Sequence, residues 1–109
     1  MEPRERQLAE NEARFRALNE RLRRGSGTWG PGEGRLELVC ECGDEDCAQL
    51  ILLSPLDYEA VRGDEAQFVL TPGHERPEIE DVVAERAGWI MVRKRGEAAD
   101  IAAKTDPRS

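Results

Sequence analysis

The chain has 109 residues, a formal net charge of -7, 36% charged and 39% hydrophobic residues, which is one domain's worth of chain with a small core. No apolar run nears the ~20 residues of a membrane span, and the opening MEPRERQLAE lacks the apolar stretch of a signal peptide, so cytoplasmic residence is expected. The charge is -11 over residues 25–92 between ends of +2 each; with no clustered basic stripe, this excludes a protein that wraps nucleic-acid phosphate or a membrane surface and reads as a solvated face.

Residues 1–24 predict an amphipathic helix, since 3–24 are good helix formers with no internal Gly or Pro after the first position. Leu8, Asn11, Phe15, Leu18 and Leu22 recur at spacings of 3 and 4 and form a narrow seam. An isolated helix of this length is barely stable in water, so the seam needs a surface to lie against. That surface is either the chain's own domain, or a protein partner or second copy, with Asn11 setting register. Residues 25–34, GSGTWGPGEG, read as a Gly-rich linker in which Trp29 is favoured as an anchor.

The compact unit is expected at 35–95. RLELVCEC alternates in strand fashion, and AQLILLS is a second strand of apolar residues. Ser54, Pro55 and Asp57 then mark a helix start, with Leu56, Ala60 and Val61 as the face to be buried and Gly63 as the stop. QFVL (67–70) reads as a strand ending in a Thr71-Pro72-Gly73-His74 turn of type II. Residues 78–95 admit two readings, a helix from Ile79 to Arg86 leading into a strand, or a hairpin of Asp81–Arg86 with Trp89–Lys94. The adjacent Val82-Val83 and the short connection favour the hairpin. The tail, 96–109, is expected to hold a helical turn or two and then fray. The fold class is therefore α+β, with an N-terminal helix, a linker and a small, mostly antiparallel sheet carrying one short helix.

Chemistry concentrates in Cys40, Cys42, Cys47 and His74, the chain's three cysteines and its single histidine. The thiols form C-x-C-x4-C, and three thiolates with one imidazole make a complete tetrahedral set for Zn2+. Cys40 and Cys42, two apart on a strand, share a face. Gly43 opens a loop able to return Cys47, and the Pro-Gly turn brings in His74. An odd cysteine count argues against a disulfide framework. Glu41, Asp44, Glu45 and Asp46 are expected to raise the thiol pKa values, against which a bound Zn2+ would deprotonate them outright. A domain this small gains from a metal staple, worth about 10 to 16 kcal/mol in zinc-finger peptides.

The NEARFRALNERL helix, VCECGDEDC (39–47), LDYEAVRGDEAQFVLTPGHE (56–75) and the strand near WIMVRK together resemble a family of small proteins from high-GC actinobacteria, most specifically in the Cys-Glu-Cys run and the Pro-Gly-His. The resemblance implies an origin and no activity.

A filled Cys3His shell leaves no open position for water, and no phosphate loop, H-E-x-x-H or G-x-S-x-G is present. The expectation is a non-enzymatic, zinc-stabilised adaptor or regulator acting through protein contacts of its N-terminal helix. The alternative is a thiol-based redox or metal sensor that releases zinc on oxidation, with a small Cys- or metal-dependent enzyme third.

Overall fold

A run of helix formers with Glu5 in its first turn and Arg23 and Arg24 in its last, matched to the helix dipole, forms α1 (Pro3–Gly25). The computed structural model describes residues 2–25 and 34–108; the interior of the expected linker, with the anchor role of Trp29, lies outside the described residues.

β1 (Leu36–Val39) pairs antiparallel with β2 (Leu50–Leu53), Leu36 opposite Leu53 and Val39 opposite Leu50. Alternation buries Leu36, Leu38, Ile51 and Leu53 on one face and leaves Leu50 and Leu52 on the other. The expected cap holds: Ser54 Oγ accepts from the Asp57 amide at 3.0 Å at the start of α2 (Pro55–Val61). The buried face of α2 differs from the expected one. Tyr58 and Val61, one turn apart, point inward, so Leu56 is turned out to 80% exposure and Ala60 is exposed too.

β3 (Gln67–Leu70), β4 (Glu80–Arg86) and β5 (Trp89–Lys94) form a second antiparallel sheet in the order β3-β5-β4. The hairpin reading of 78–95 is the one the chain adopts, Arg86 facing Trp89 across Ala87-Gly88, with a bulge between Val82 and Ala84. The two sheets meet where the Glu41 amide donates to the Val69 carbonyl at 3.0 Å. The core between them holds Leu38, Ile51, Tyr58, Phe68, Leu70 and Val92.

The tail does more than the expected turn or two. It forms α3 (Gly96–Lys104), whose Ala98 and Ala102, one turn apart and small, are buried where α3 packs on α1. Beyond it Asp106 pairs with Arg62, while Arg108 pairs with Glu20 and Glu59.

α1 packs on its own chain, but through a neighbouring stripe and not chiefly through the seam. Ala9, Glu12, Ala13, Arg16, Asn19 and Glu20 are buried with Asn11, whereas Leu8, Phe15 and Leu18 are half-buried and Leu22 is 39% exposed. The reason is polar complementarity. Arg16 has no exposure; it donates to the Glu65 carbonyl at 2.6 Å and the Ala102 carbonyl at 2.7 Å, and lies 4.5 Å over the Phe68 ring. Lys94 Nζ sits between the buried carboxylates of Glu12 and Glu80. Arg62 Nε donates to Glu20 at 2.7 Å.

Two outcomes follow for α1. Arg16→Ala strands two buried carbonyls and should lower unfolding free energy by about 3 kcal/mol, the loss of charged hydrogen bonds, as read by denaturant titration; Arg16→Lys, with no planar fork, should recover only part of it. Burial pushes the Glu12 carboxyl up to about 7 against the opposing pull of Lys94, with Glu80 adding to the rise and Arg76 opposing it. The folded state then holds a proton that the unfolded chain has released, so this group's contribution declines as pH rises from about 4.5 through 7. Stability of the wild type relative to Glu12→Gln should accordingly fall between pH 5 and pH 8, a comparison in which effects common to both proteins cancel.

Candidate metal centre

Just past β1 the chain stays extended, the Cys40 amide donating to the Gln49 carbonyl at 3.1 Å and the Glu41 amide to Val69. Extended backbone alternates its side chains. Cys40 and Cys42 face one side, and Glu41 faces the other. At Gly43 the chain turns with φ +83, a conformation that costs glycine little. Asp44 shapes the return, its Oδ1 accepting from the Asp46 amide at 2.9 Å and its carbonyl from the Cys47 amide at 3.0 Å. Cys47 is thereby folded back under Cys40 and Cys42.

The fourth side chain arrives from the second sheet. After β3, the His74 amide donates to the Thr71 carbonyl at 3.0 Å, and Gly73 takes φ +92, as the third position of a type II turn requires. His74 Nδ1 then lies 3.7 Å from Cys40 Sγ and 3.6 Å from Cys47 Sγ. All four donor atoms fall within 4.8 Å of one another. A tetrahedron with Zn–S of about 2.3 Å and Zn–N of about 2.05 Å has S···N edges of about 3.6 Å and S···S edges of about 3.8 Å. The sulfur–nitrogen spacings of Cys40 and Cys47 match such a shell. The expected set of Cys40, Cys42, Cys47 and His74 thus converges, with Cys40 and Cys42 buried and Cys47 and His74 half-buried.

The electrostatics differ from the expectation that acidic neighbours raise every thiol. The Cys40 thiol is pushed down to about 5 by the hydrogen bond from Cys42, with burial opposing and the Thr71 amide assisting; that amide lies 3.2 Å from Cys40 Sγ. Cys42 is pushed up, first by its bond to Cys40 and then by burial. The two thiols shift in opposite directions because they share one hydrogen bond, a contact that a bound cation would replace. The carboxylates have little part because Asp44, Glu45 and Asp46 are exposed and Glu41 points away.

Glu41, grouped by the sequence with the acidic residues beside the thiols, belongs instead to the interior. It has no exposure. Its Oε1 accepts from the Val69 amide at 3.0 Å and its Oε2 from Asn19 Nδ2 at 2.7 Å. Burial pushes its carboxyl up to about 7, with these bonds and Arg62 and Arg16 pulling the other way. The signal that could have found it is the same period of two that put both thiols on one face. Asn19 was missed too, and Thr71 was anticipated only as part of its turn, not as a donor to Cys40 Sγ. Asn19 joins α1 to both Val39 and Glu41, and Asn11, anticipated as a register residue, donates to the Gly43 carbonyl at 3.0 Å.

Among the described residues, a surface groove of about 700 Å³ runs beside the centre, between the first turns of α1 and residues 43–46, with Arg4 and Arg76 set among Glu5, Asp44, Glu45 and Glu78. It does not contain the four donors. No helix of the described residues is long and apolar enough to cross a membrane. Comparison with protein-family models, curated proteins and solved structures finds no significant match, so the class of this protein is defined by its own fold and site: an α+β domain with a Cys3His group that could hold a metal ion.

Gly43 is where the centre touches α1. A Cβ there would lie 2.7 Å from Glu12 Cγ, 2.8 Å from Leu8 Cδ1 and 2.9 Å from the Leu8 carbonyl oxygen. Gly43→Ala combines that clash with an unfavourable φ and should cost on the order of 2 kcal/mol, whereas an alanine at exposed Gly34, where no atom lies within 4 Å of the added carbon, should change the thermal midpoint little.

Proposed function

We propose that this chain is a small, non-enzymatic zinc protein in which Cys40, Cys42, Cys47 and His74 hold one structural Zn2+, and that it serves as an adaptor or regulator through protein contacts of α1. The observation that carries the reading is the 3.6 and 3.7 Å spacing of two sulfurs from one imidazole nitrogen, the edge length of a zinc tetrahedron. Zinc is favoured over an iron–sulfur cluster because the fourth donor is a histidine. Four protein donors leave no position for substrate, which supports a role in holding structure.

The centre would staple the two sheets. Cys40 and Cys42 extend β1, and His74 follows β3, so a bound cation adds strong bonds where Glu41 and Val69 otherwise supply the join. The partner role is supported by what α1 leaves in solvent: Leu22 is 39% exposed, and Leu50 and Leu52 of β2 are 59% and 51% exposed. A second reading, a thiol sensor, is favoured by the half-buried positions of Cys47 and His74. In it, hydrogen peroxide takes two electrons from two thiolates and two protons from solvent, the thiolates join as a disulfide, the peroxide leaves as two waters, and the metal is released.

Purified protein should carry about one zinc per chain by elemental analysis, and Cys42→Ser should lose the metal and lower the thermal midpoint while keeping a cooperative transition. Protein that folds without metal and ignores added zinc would overturn the site. Mild peroxide should leave zinc bound under the first reading, and rapid reversible release would favour the second. Leu22→Glu should keep zinc and fold while abolishing association. If wild type and variant bind and sediment alike, α1 is not the contact surface.

A further inference from the structure

We infer that occupancy of the metal centre sets how firmly α1 is latched to the rest of the chain; this rests on reading the four side chains as a metal site. Two groups of contacts hold α1, and they divide by what they touch. One group touches residues 39–45, the segment that carries the first two thiols. Asn19 donates to the Val39 carbonyl at 2.8 Å, accepts from the Val39 amide at 2.9 Å and donates to Glu41. Asn11 donates to the Gly43 carbonyl, Arg14 reaches Glu45 at 3.2 Å, and the Gly43 backbone lies flush against Leu8 and Glu12. The other group is remote from the thiols: Glu12 on Lys94, Arg16 on the Glu65 and Ala102 carbonyls, and Glu20 on Arg62.

Apart from the Asn19–Val39 contacts, which stand on β1, the first group stands on backbone that no ladder holds. Residues 40–49 have no regular secondary structure, and after Glu41 the loop is shaped by Gly43, the Asp44 turn and the convergence of its thiols on His74. A metal joining Cys42 and Cys47 to His74 closes that loop from both ends. Once it leaves, only the Gly43 and Asp44 turn holds Cys47 under Cys42, and the Gly43 carbonyl loses the fixed position at which Asn11 meets it. The contacts of the first half of α1 then weaken, while Arg16 and Glu20 keep their metal-independent partners. Metal loss thus loosens α1 without dissolving the sheets, and carries Leu8 and Phe15 from half-buried positions towards solvent. Coupling is reciprocal: a change that unlatches α1 must weaken zinc binding by the same factor.

The test is hydrogen exchange of the full chain, read by mass spectrometry, with Zn2+ bound and after chelation. Exchange within 3–25 should speed at least tenfold on chelation while β4 and β5 keep their protection. Asn11→Ala, zinc-loaded, should reproduce part of that acceleration and weaken Zn2+ affinity in a competition titration with a chromophoric chelator. Unchanged exchange of α1 after chelation would overturn the inference while leaving the zinc reading intact, and so would an Asn11→Ala protein identical to wild type in both measurements. Equal loss of protection in α1, β4 and β5 would also overturn it, since the metal would then support the whole domain without distinction. Absence of zinc from the purified protein, seen before any chelator is added, would remove the underlying reading itself.

Discussion

Three consecutive residues with alternating directions organise the molecule. Because extended backbone sends neighbouring side chains to opposite faces, Cys40 and Cys42 are committed to one side of their strand and Glu41 to the other. The thiol side gathers Cys47 and His74. The carboxylate side gathers Asn19 from α1 and the Val69 amide from β3. A single short segment therefore joins the donor cluster, both sheets and the N-terminal helix. Glu41→Gln would keep an acceptor for one partner alone, since the two oxygens of Glu41 serve different elements.

The interior is unusually polar for so small a core. Glu12, Arg16, Asn19, Glu20, Glu41, Arg62, Glu80 and Lys94 are all buried. Buried ion pairs give little net stability, because desolvation offsets their attraction, whereas breaking one leaves a buried charge without its partner. What such pairs supply here is position. An apolar stripe on α1 would tolerate sliding along the sheets, but Asn19 can meet the amide and carbonyl of Val39 in one register alone, and Arg16 must reach two carbonyls from different elements. Some donors and acceptors in this network, among them Tyr58 Oη and Glu12 Oε1, have no hydrogen-bond partner among the described residues, and each such group raises the cost of any misplacement of its neighbours.

Much of the fold was legible because its signals are local. The Ser54-Pro55 cap, the alternation in β1, the Pro72-Gly73 turn and the two-residue connection of the β4–β5 hairpin each depend on a few adjacent residues whose conformational preferences agree. The donor set was legible for another reason: three thiols and one imidazole are chemically distinct from everything around them. Small bounded errors came where a face had to be chosen. Leu56 looked like core by composition, yet the turn that buries Tyr58 and Val61 faces it to solvent.

By itself, the sequence determined the kinds of element, most of their limits and the four side chains that could hold a metal, because these follow from backbone preference and side-chain chemistry over short spans. The tertiary structure alone decided which side of α1 is interior. Glu12, Arg16 and Glu20 are charged, and a charged residue reads as solvated until its partner is known. Those partners, Lys94, the Glu65 and Ala102 carbonyls and Arg62, lie 42 or more residues away. The folding of the tail into α3 was settled in the same way, since Ala98 and Ala102 have no reason to be buried until α1 lies against them. Long-range pairing of polar groups leaves no periodic trace in a chain, and it is that pairing which fixes the helix on the segment that carries the thiols.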